Sequence, residues 1–302
     1  MSEGMMSYEV FKEKVVEKIK DYLPDSMKDA KVSVRKVVKN NCELDGITIM
    51  KEDTGVAPTM YIDMLYKAYT ISGDFEDVMT TFADSYMESL NNAPKLNLMN
   101  VVTSSEFIKS HVIMCLVNVE RNEKLLKNHV YVKYLDLAII FRVIVDKYDD
   151  DIASYLVSNE LAEEAGLSED DLLSFARKNT YEVFPVNYKT LTDAIKEIDP
   201  TAKVEDTPDN PMYMASNNIR INGAVAMLNG ALLKKFSEYI ADDFYILPSS
   251  VHEIILLPVG SHNDISELRE HVKEVNHFID PQDFLSNLVY KYIRETESVV
   301  IA

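Results

Sequence analysis

The chain contains no tryptophan, two cysteines and eight glycines among 302 residues. Two cysteines, Cys42 and Cys115, are too few for a disulfide framework, and no CxxC pair is present. Each sits in an apolar, strand-like run, where a free thiol behaves as a small hydrophobe. Eight glycines leave no glycine-rich loop: Gly223 and Gly230 are too far apart for a phosphate or dinucleotide fingerprint. No cofactor is therefore expected. A long apolar run is also missing. The longest, Leu135 to Val145, is interrupted by Asp136 and Arg142, and falls well short of the ~20 residues that a membrane span needs. Met1 to Lys14 lacks the apolar core of a signal peptide. These exclusions lead to the expectation of a cytoplasmic protein with reduced, unpaired cysteines and no membrane association.

Positive charge is scarce too. Lys and Arg number 31 against 50 Asp and Glu, a formal net charge of −19, and no stretch concentrates the cations. Such a field repels nucleic acid and anionic membranes alike, so direct nucleic-acid binding is not expected. It suits either a surface kept soluble by charge or an acidic face for a basic protein partner.

What is present is periodic. Tyr8, Phe11, Val15, Ile19 and Tyr22 recur at helical spacing and stop before Pro24. Val32 and Val34, then Ile47 and Ile49, alternate as strands do, with Asn40-Asn41 and Asp45-Gly46 as turn signals between them. A short extended piece follows at Thr59 to Asp63, and Asp74 can cap a helix carrying Phe75, Val78, Phe82 and Tyr86. His111 to Val119 and Leu135 to Val145 are nearly all apolar, as in central strands covered on both faces. Ser168 opens another helix, and Met212 to Ser216 with Ile219 to Leu228 read as a hairpin around Asn217-Asn218. Ile265, Leu268, Val272 and Val275 form the cleanest amphipathic stripe. The tail from Phe284 mixes both rhythms. Together these signals predict an α+β fold, mainly antiparallel sheet with hairpins, flanked by amphipathic helices. A single integrated unit over residues 1–302 is expected, with a soft boundary near residues 147–165.

Several separated segments carry a resemblance. Ala57-Pro58-Thr59-Met60-Tyr61-Ile62-Asp63, Asn118-Val119-Glu120-Arg121-Asn122, Tyr134-Leu135-Asp136-Leu137-Ala138 and Ile246 to Glu253 stand in the order seen in an uncharacterised bacterial family, domain of unknown function 5688. The chain resembles that family over nearly its whole length. The resemblance implies a bacterial, cytosolic origin and assigns no chemistry.

Pro248 to Glu253 is the densest group of reactive side chains. Ser250 and His252 could form an activated hydroxyl pair with Glu253 nearby. On an extended strand, however, Glu253 points away from the face that Ser250 and His252 share, so a more distant acid would be required. The G-x-S-x-G elbow is absent. Ser250-Val251-His252-Glu253 also reads as a capping box, serine first and glutamate three later, in a turn between strands that end near Leu247 and resume near Ile254, where its polar groups would satisfy backbone donors. The string His252-Glu253 lacks the second histidine of a zinc helix, because Leu256 stands there. Asp149-Asp150-Asp151 lacks the alternation of a calcium loop. No metal site is expected. Arg121 could grip a carboxylate or phosphate and Asn122 an amide; the alternative is an ion-pair and capping cluster at a strand end. Asn217 is a third binding candidate, although Asn217-Asn218 reads most simply as a turn with positive φ.

Three functions remain open on the sequence. One is a non-enzymatic interaction or regulatory protein. Another is a hydrolase-type enzyme centred on Ser250 and His252. The third is an acidic surface that imitates nucleic-acid phosphates.

Overall fold

Helical spacing of aromatic and aliphatic residues sets the first element of the computed structural model. Residues 5–51, 57–91, 101–147, 152–203, 211–261 and 264–302 are described. The sequence signals at Asn92 to Pro94, Tyr148 to Asp151 and His262 lie outside them, as does most of the proline-rich stretch before Pro211. The chain groups into two compact units, residues 1–39 with 43–102, and residues 40–42 with 103–302.

In the first unit, α1 (Tyr8–Tyr22) buries Phe11, Val15 and Ile19 and ends at an extended Leu23, the geometry that a following proline imposes. Strands β1 (Lys31–Lys39), β2 (Cys42–Met50) and β3 (Thr59–Tyr61) form a sheet in that order. Asn41 takes φ 59° at the β1–β2 turn. Asp45-Gly46, anticipated as a turn, instead lies inside β2, where Gly46 pairs with Tyr61. Its lack of a side chain is what lets Thr59 and Val37 close over it. Helix α2 (Ile62–Ser72) follows where the sequence showed only an extended piece, and Gly73 terminates it at φ 71°. Asp74 Oδ1 then caps α3 (Phe75–Asn91), accepting from the Glu76 and Asp77 amides at 3.0 and 3.1 Å. Phe11 stacks on Tyr69, and buried Tyr86 bonds through its hydroxyl to both the N–H and the carbonyl of Ile49.

The second unit begins with α4 (Ser105–His111) and β4 (Val112–Asn118), every residue of which is buried. Past α5 (Glu123–Leu126), strands β5 (Tyr131–Tyr134), β6 (Leu137–Lys147) and β7 (Ile152–Leu156) complete an antiparallel sheet. β6 is its centre: β4 pairs on one side, β5 and β7 on the other. β4 stands at the end of the strand order, where a central strand was expected. Its outer edge is covered by helix: α6 (Asn159–Ala165) is followed by α7 (Glu169–Val183), whose Thr180 Oγ1 accepts from the Met114 N–H at 2.8 Å. Asn179 Nδ2 donates to the Val112 carbonyl at 3.0 Å. Side chains thus stand in for the missing strand, which is how an edge strand carries an unbroken apolar sequence.

The six-stranded sheet has the order β13-β12-β10-β11-β9-β8, built from β8 (Val186–Thr190), β9 (Tyr213–Asn217), β10 (Phe244–Pro248), β11 (Ile254–Pro258), β12 (Tyr290–Ile293) and β13 (Ser298–Ile301). All its pairings are antiparallel, and the unassigned tail supplies its last hairpin. Between these strands lie α8 (Leu191–Ile198), α9 (Gly230–Ile240) and α10 (Ile265–Asn276). The anticipated second hairpin strand at 219–228 is a 3-10 helix over Gly223–Leu228. One sheet face, with Ile246, Ile254, Leu256 and Tyr290, joins Leu116, Phe141 and Phe236 in the main core. The opposite face, with Leu257, meets Leu268 and Val272 of α10. The α+β class with antiparallel sheets is what the sequence predicted. Among the described residues, no helix is long and apolar enough to cross a membrane.

Candidate functional site

Strand β10 stops at Pro248 and β11 resumes at Ile254, the two residues pairing across the turn between them. Ser250 is buried, with 7 % of its surface exposed. Its Oγ accepts from the His252 N–H at 3.0 Å and donates to Glu253 Oε1 at 3.0 Å. Ser249 Oγ donates to the same carboxylate oxygen at 3.3 Å. The Ser250 N–H goes to the Glu253 carbonyl, not to its carboxylate, so the reciprocal capping box is replaced by a serine turn. On an extended strand Ser250 and His252 would share a face. Here the chain turns, which brings Ser250 to Glu253 and carries the His252 ring elsewhere.

His252 is held from three sides. Its carbonyl accepts from Ser216 Oγ at 2.7 Å, and Nδ1 accepts from the Asn222 N–H at 3.2 Å. An amide donor at Nδ1 fixes the proton of the neutral ring on Nε2. Nε2–H then donates to Asp283 Oδ1 at 3.2 Å. Asp283 also ties the turn through its backbone, accepting from the Val251 N–H at 2.8 Å. The arrangement orients an imidazole with a carboxylate, but the hydroxyl that would complete a relay is bonded to Glu253.

The other candidates are spread apart. Asn122, 1 % exposed, exchanges two 2.8 Å bonds with Asn41 and gives a third to the Asn118 carbonyl. Those bonds occupy its amide. The Arg121 guanidinium sits over the Phe284 ring, 3.5 Å from the centroid, a cation–π contact. Asn217 is the last residue of β9 and holds the next loop, donating to the Ile221 carbonyl and accepting from the Ile219 N–H. The positive φ angles expected at Asn217-Asn218 fall instead on Arg220 and Asn222, at 55° and 53°. Asn217's amide carries the loop's bonds so that the turn itself sits farther along.

Beside the Ser249 end of the turn, a cavity of about 470 Å³ opens between the six-stranded sheet and α10. Leu191, Met212, Leu247, Ile255, Leu268 and Val272 form its apolar walls. Alternation explains the sheet side: Leu247 and Ile255 face each other across β10 and β11 on the face opposite the main core. Glu267 and His271, four residues apart on α10, share one side of that helix and line the same cavity with Ser249 and half-exposed Val275. Size and lining are those of a small-molecule pocket: mostly apolar, with a few convergent polar groups.

The sequence model of one family matches residues 8–294. The chain belongs to DUF5688, a family of unknown function. No curated protein and no solved structure matches it. The DUF5688 match takes in both compact units, the turn at Pro248 to Glu253, Asp283 and every wall of the cavity.

Sequence reasoning found the residue types of this DUF5688 turn and missed their partners. Asp283 is 31 residues from His252, Asn222 is 30 and Ser216 is 36. No local pattern connects them. The cavity was missed for the same reason, although its helix wall was legible as the Leu268–Val272–Val275 stripe.

Proposed function

We infer that this DUF5688 chain is a non-enzymatic interaction or regulatory protein of the bacterial cytoplasm, and that the cavity between α10 and the six-stranded sheet is its contact site. The observation that carries the reading is that cavity, apolar-walled and lined also by Glu267, His271 and Ser249, beside a turn whose polar side chains bond to one another, to the His252 and Asn222 amides and to Asp283. A net charge of −19 weighs against nucleic acid as the direct partner. The test is a photo-crosslinking residue placed at Val275, which lines the cavity and is 51 % exposed, with 81 % exposed Ile71 of α2 as the control position. In native lysate a reproducible adduct, small or macromolecular, is expected from position 275 alone. The same adducts from both positions, or none from 275, would remove the basis for the reading.

A hydrolase centred on Ser250 and His252 is the second reading. Asp283 favours it, because a carboxylate 3.2 Å from Nε2 is the distant acid such a site requires. Against it stand the Ser250–Glu253 bond and the backbone donor on Nδ1. The two readings part on Ser250→Ala. Its hydroxyl makes two bonds in a buried turn, so the substitution is expected to cost about 1–2 kcal/mol of stability, read as a lower urea midpoint. Fluorophosphonate labelling of the parent protein is expected to leave Ser250 unmodified. Stoichiometric labelling there, with an unchanged midpoint for the variant, would make the hydrolase the better reading.

A further inference from the structure

The cavity's edge carries an asymmetry of charge that bears on what fills it. Along α10, Glu270 is paired with Lys273 at 2.8 Å, and Arg269 donates to the Ala302 carbonyl. The side chain of Glu267, the acidic residue that lines the cavity, makes no ion pair or hydrogen bond among the described residues, and neither does that of His271. Both cations of the helix are thus engaged elsewhere, and a carboxylate is left at the mouth of an apolar chamber. Ser249 keeps acceptor capacity, because its hydroxyl proton is directed to Glu253.

We propose that this cavity binds a small apolar molecule bearing a protonated amine, the hydrocarbon between the sheet and α10 and the ammonium at Glu267. The inference rests on the interaction reading above and names the class of its ligand. Three observations select it. The walls are aliphatic, so burial of hydrocarbon supplies the main attraction. At the ~30 Å³ per water of the liquid, the chamber holds roughly fifteen non-hydrogen atoms, a metabolite-sized body. An ammonium carries three donors and no acceptor. The groups lining the cavity answer it: the Glu267 carboxylate and the Ser249 oxygen, with the His271 imidazole beside them. A carboxylate-headed molecule of the same length would meet Glu267 and the protein's acidic field with like charge.

The test is a titration of the full chain, labelled at Ile, Leu and Val methyl groups, with octylamine, octanoate and octanol below their aggregation limits. Octylamine is expected to shift the Ile255, Val272 and Val275 methyls and to bind about tenfold more tightly than octanol, with octanoate weaker still. Glu267→Gln is expected to bring octylamine level with octanol while octanol is unchanged. Val275→Trp, at a half-exposed position that tolerates bulk, is expected to weaken all three. Octanoate binding as well as octylamine, or octylamine indifferent to Glu267→Gln, would overturn the amine while leaving an apolar contact site in place. Silence of those methyls toward all three probes would overturn the ligand class, with the Val275 crosslink deciding separately whether the site contacts anything. Sedimentation velocity supplies the remaining arm. A dimer lost on Val275→Trp, at a position that lines the cavity, would mean that a second copy fills it, and would overturn the small-molecule proposal.

Discussion

Gly223→Ala is expected to be among the most damaging single substitutions in the larger unit, lowering its stability by about 4 kcal/mol. A Cβ at position 223 would stand 2.1 Å from Ser216 Oγ, 2.4 Å from the His252 carbonyl oxygen and 2.9 Å from the Asn217 nitrogen. Two of those atoms are backbone and cannot rotate away. The third can move only by giving up the Ser216–His252 bond of 2.7 Å, which would strand a buried hydroxyl. The substitution therefore pushes β9 and the turn at Pro248 to Glu253 apart. Against a total of about 5–15 kcal/mol, and at about 2–4 °C per kcal/mol for a domain of this size, the melting temperature should fall by roughly 10–15 °C. Gly73→Ala is the comparison: φ is 71° there with nothing within 4 Å, so only left-handed strain of about 1–2 kcal/mol applies. Urea unfolding of both variants beside the parent decides it. A Gly223→Ala midpoint no lower than that of Gly73→Ala would show that the loop yields, and that the close approach at Gly223 is not a constraint.

The same glycine shows where sequence reading stops. Its neighbours in sequence, Asn222 and Ala224, read as part of a hairpin strand; the atoms that demand a glycine come from residues 216, 217 and 252. Elements set by local rhythm were legible. The stripe at Leu268 and Val272 became α10, and the apolar runs became β4 and β6, because periodicity depends on neighbours along the chain. Helix α2 was not, since Ile62, Tyr66 and Tyr69 are residues with a taste for strands and its helical face shows only once Phe11 packs on Tyr69. The edge position of β4 was hidden too, because Thr180 and Asn179 of α7 do the pairing. At the candidate site the residue types and the turn between the two strands were legible. The partners were not: Glu253 turned its carboxylate to the serine hydroxyls and not to the Ser250 amide, and the acid beside His252 came from 31 residues away.

Asp45 carries the other large expected effect, in the smaller unit. It was assigned to a turn from its sequence, yet its side chain is 4 % exposed in β2. The carboxylate accepts from Tyr8 Oη at 2.8 Å, Lys36 Nζ at 3.0 Å and Lys12 Nζ at 3.3 Å. Its own N–H donates to Asp63 Oδ2 at 2.7 Å. The network ties α1 to the sheet and to the start of α2. Burial pushes the Asp45 carboxyl up, but the bonds from Lys36, Tyr8 and Lys12 outweigh it, and the net shift is downward. Burial and the bond to Asp45 drive the Tyr8 phenol the other way, well above its ordinary range. Asp45→Ala leaves a half-buried phenol and two ammonium groups without their acceptor, and is expected to cost about 3 kcal/mol. Asp45→Asn keeps volume and one acceptor and should cost about half as much. The pH dependence follows from the signs. A carboxyl whose folded pKa lies below its unfolded value of about 3.9 stabilises the fold above that pH. The contribution is lost as the pH falls through the folded pKa. A phenol with a raised folded pKa contributes stability that is complete below its unfolded value of about 10 and declines as the pH rises past it. Urea midpoints between about pH 2.5 and pH 11 should therefore show an acid slope that flattens in Asp45→Asn and an alkaline slope that flattens in Tyr8→Phe. Acid limbs that run parallel in the parent and Asp45→Asn would mean that the carboxylate is not held by these three donors in solution.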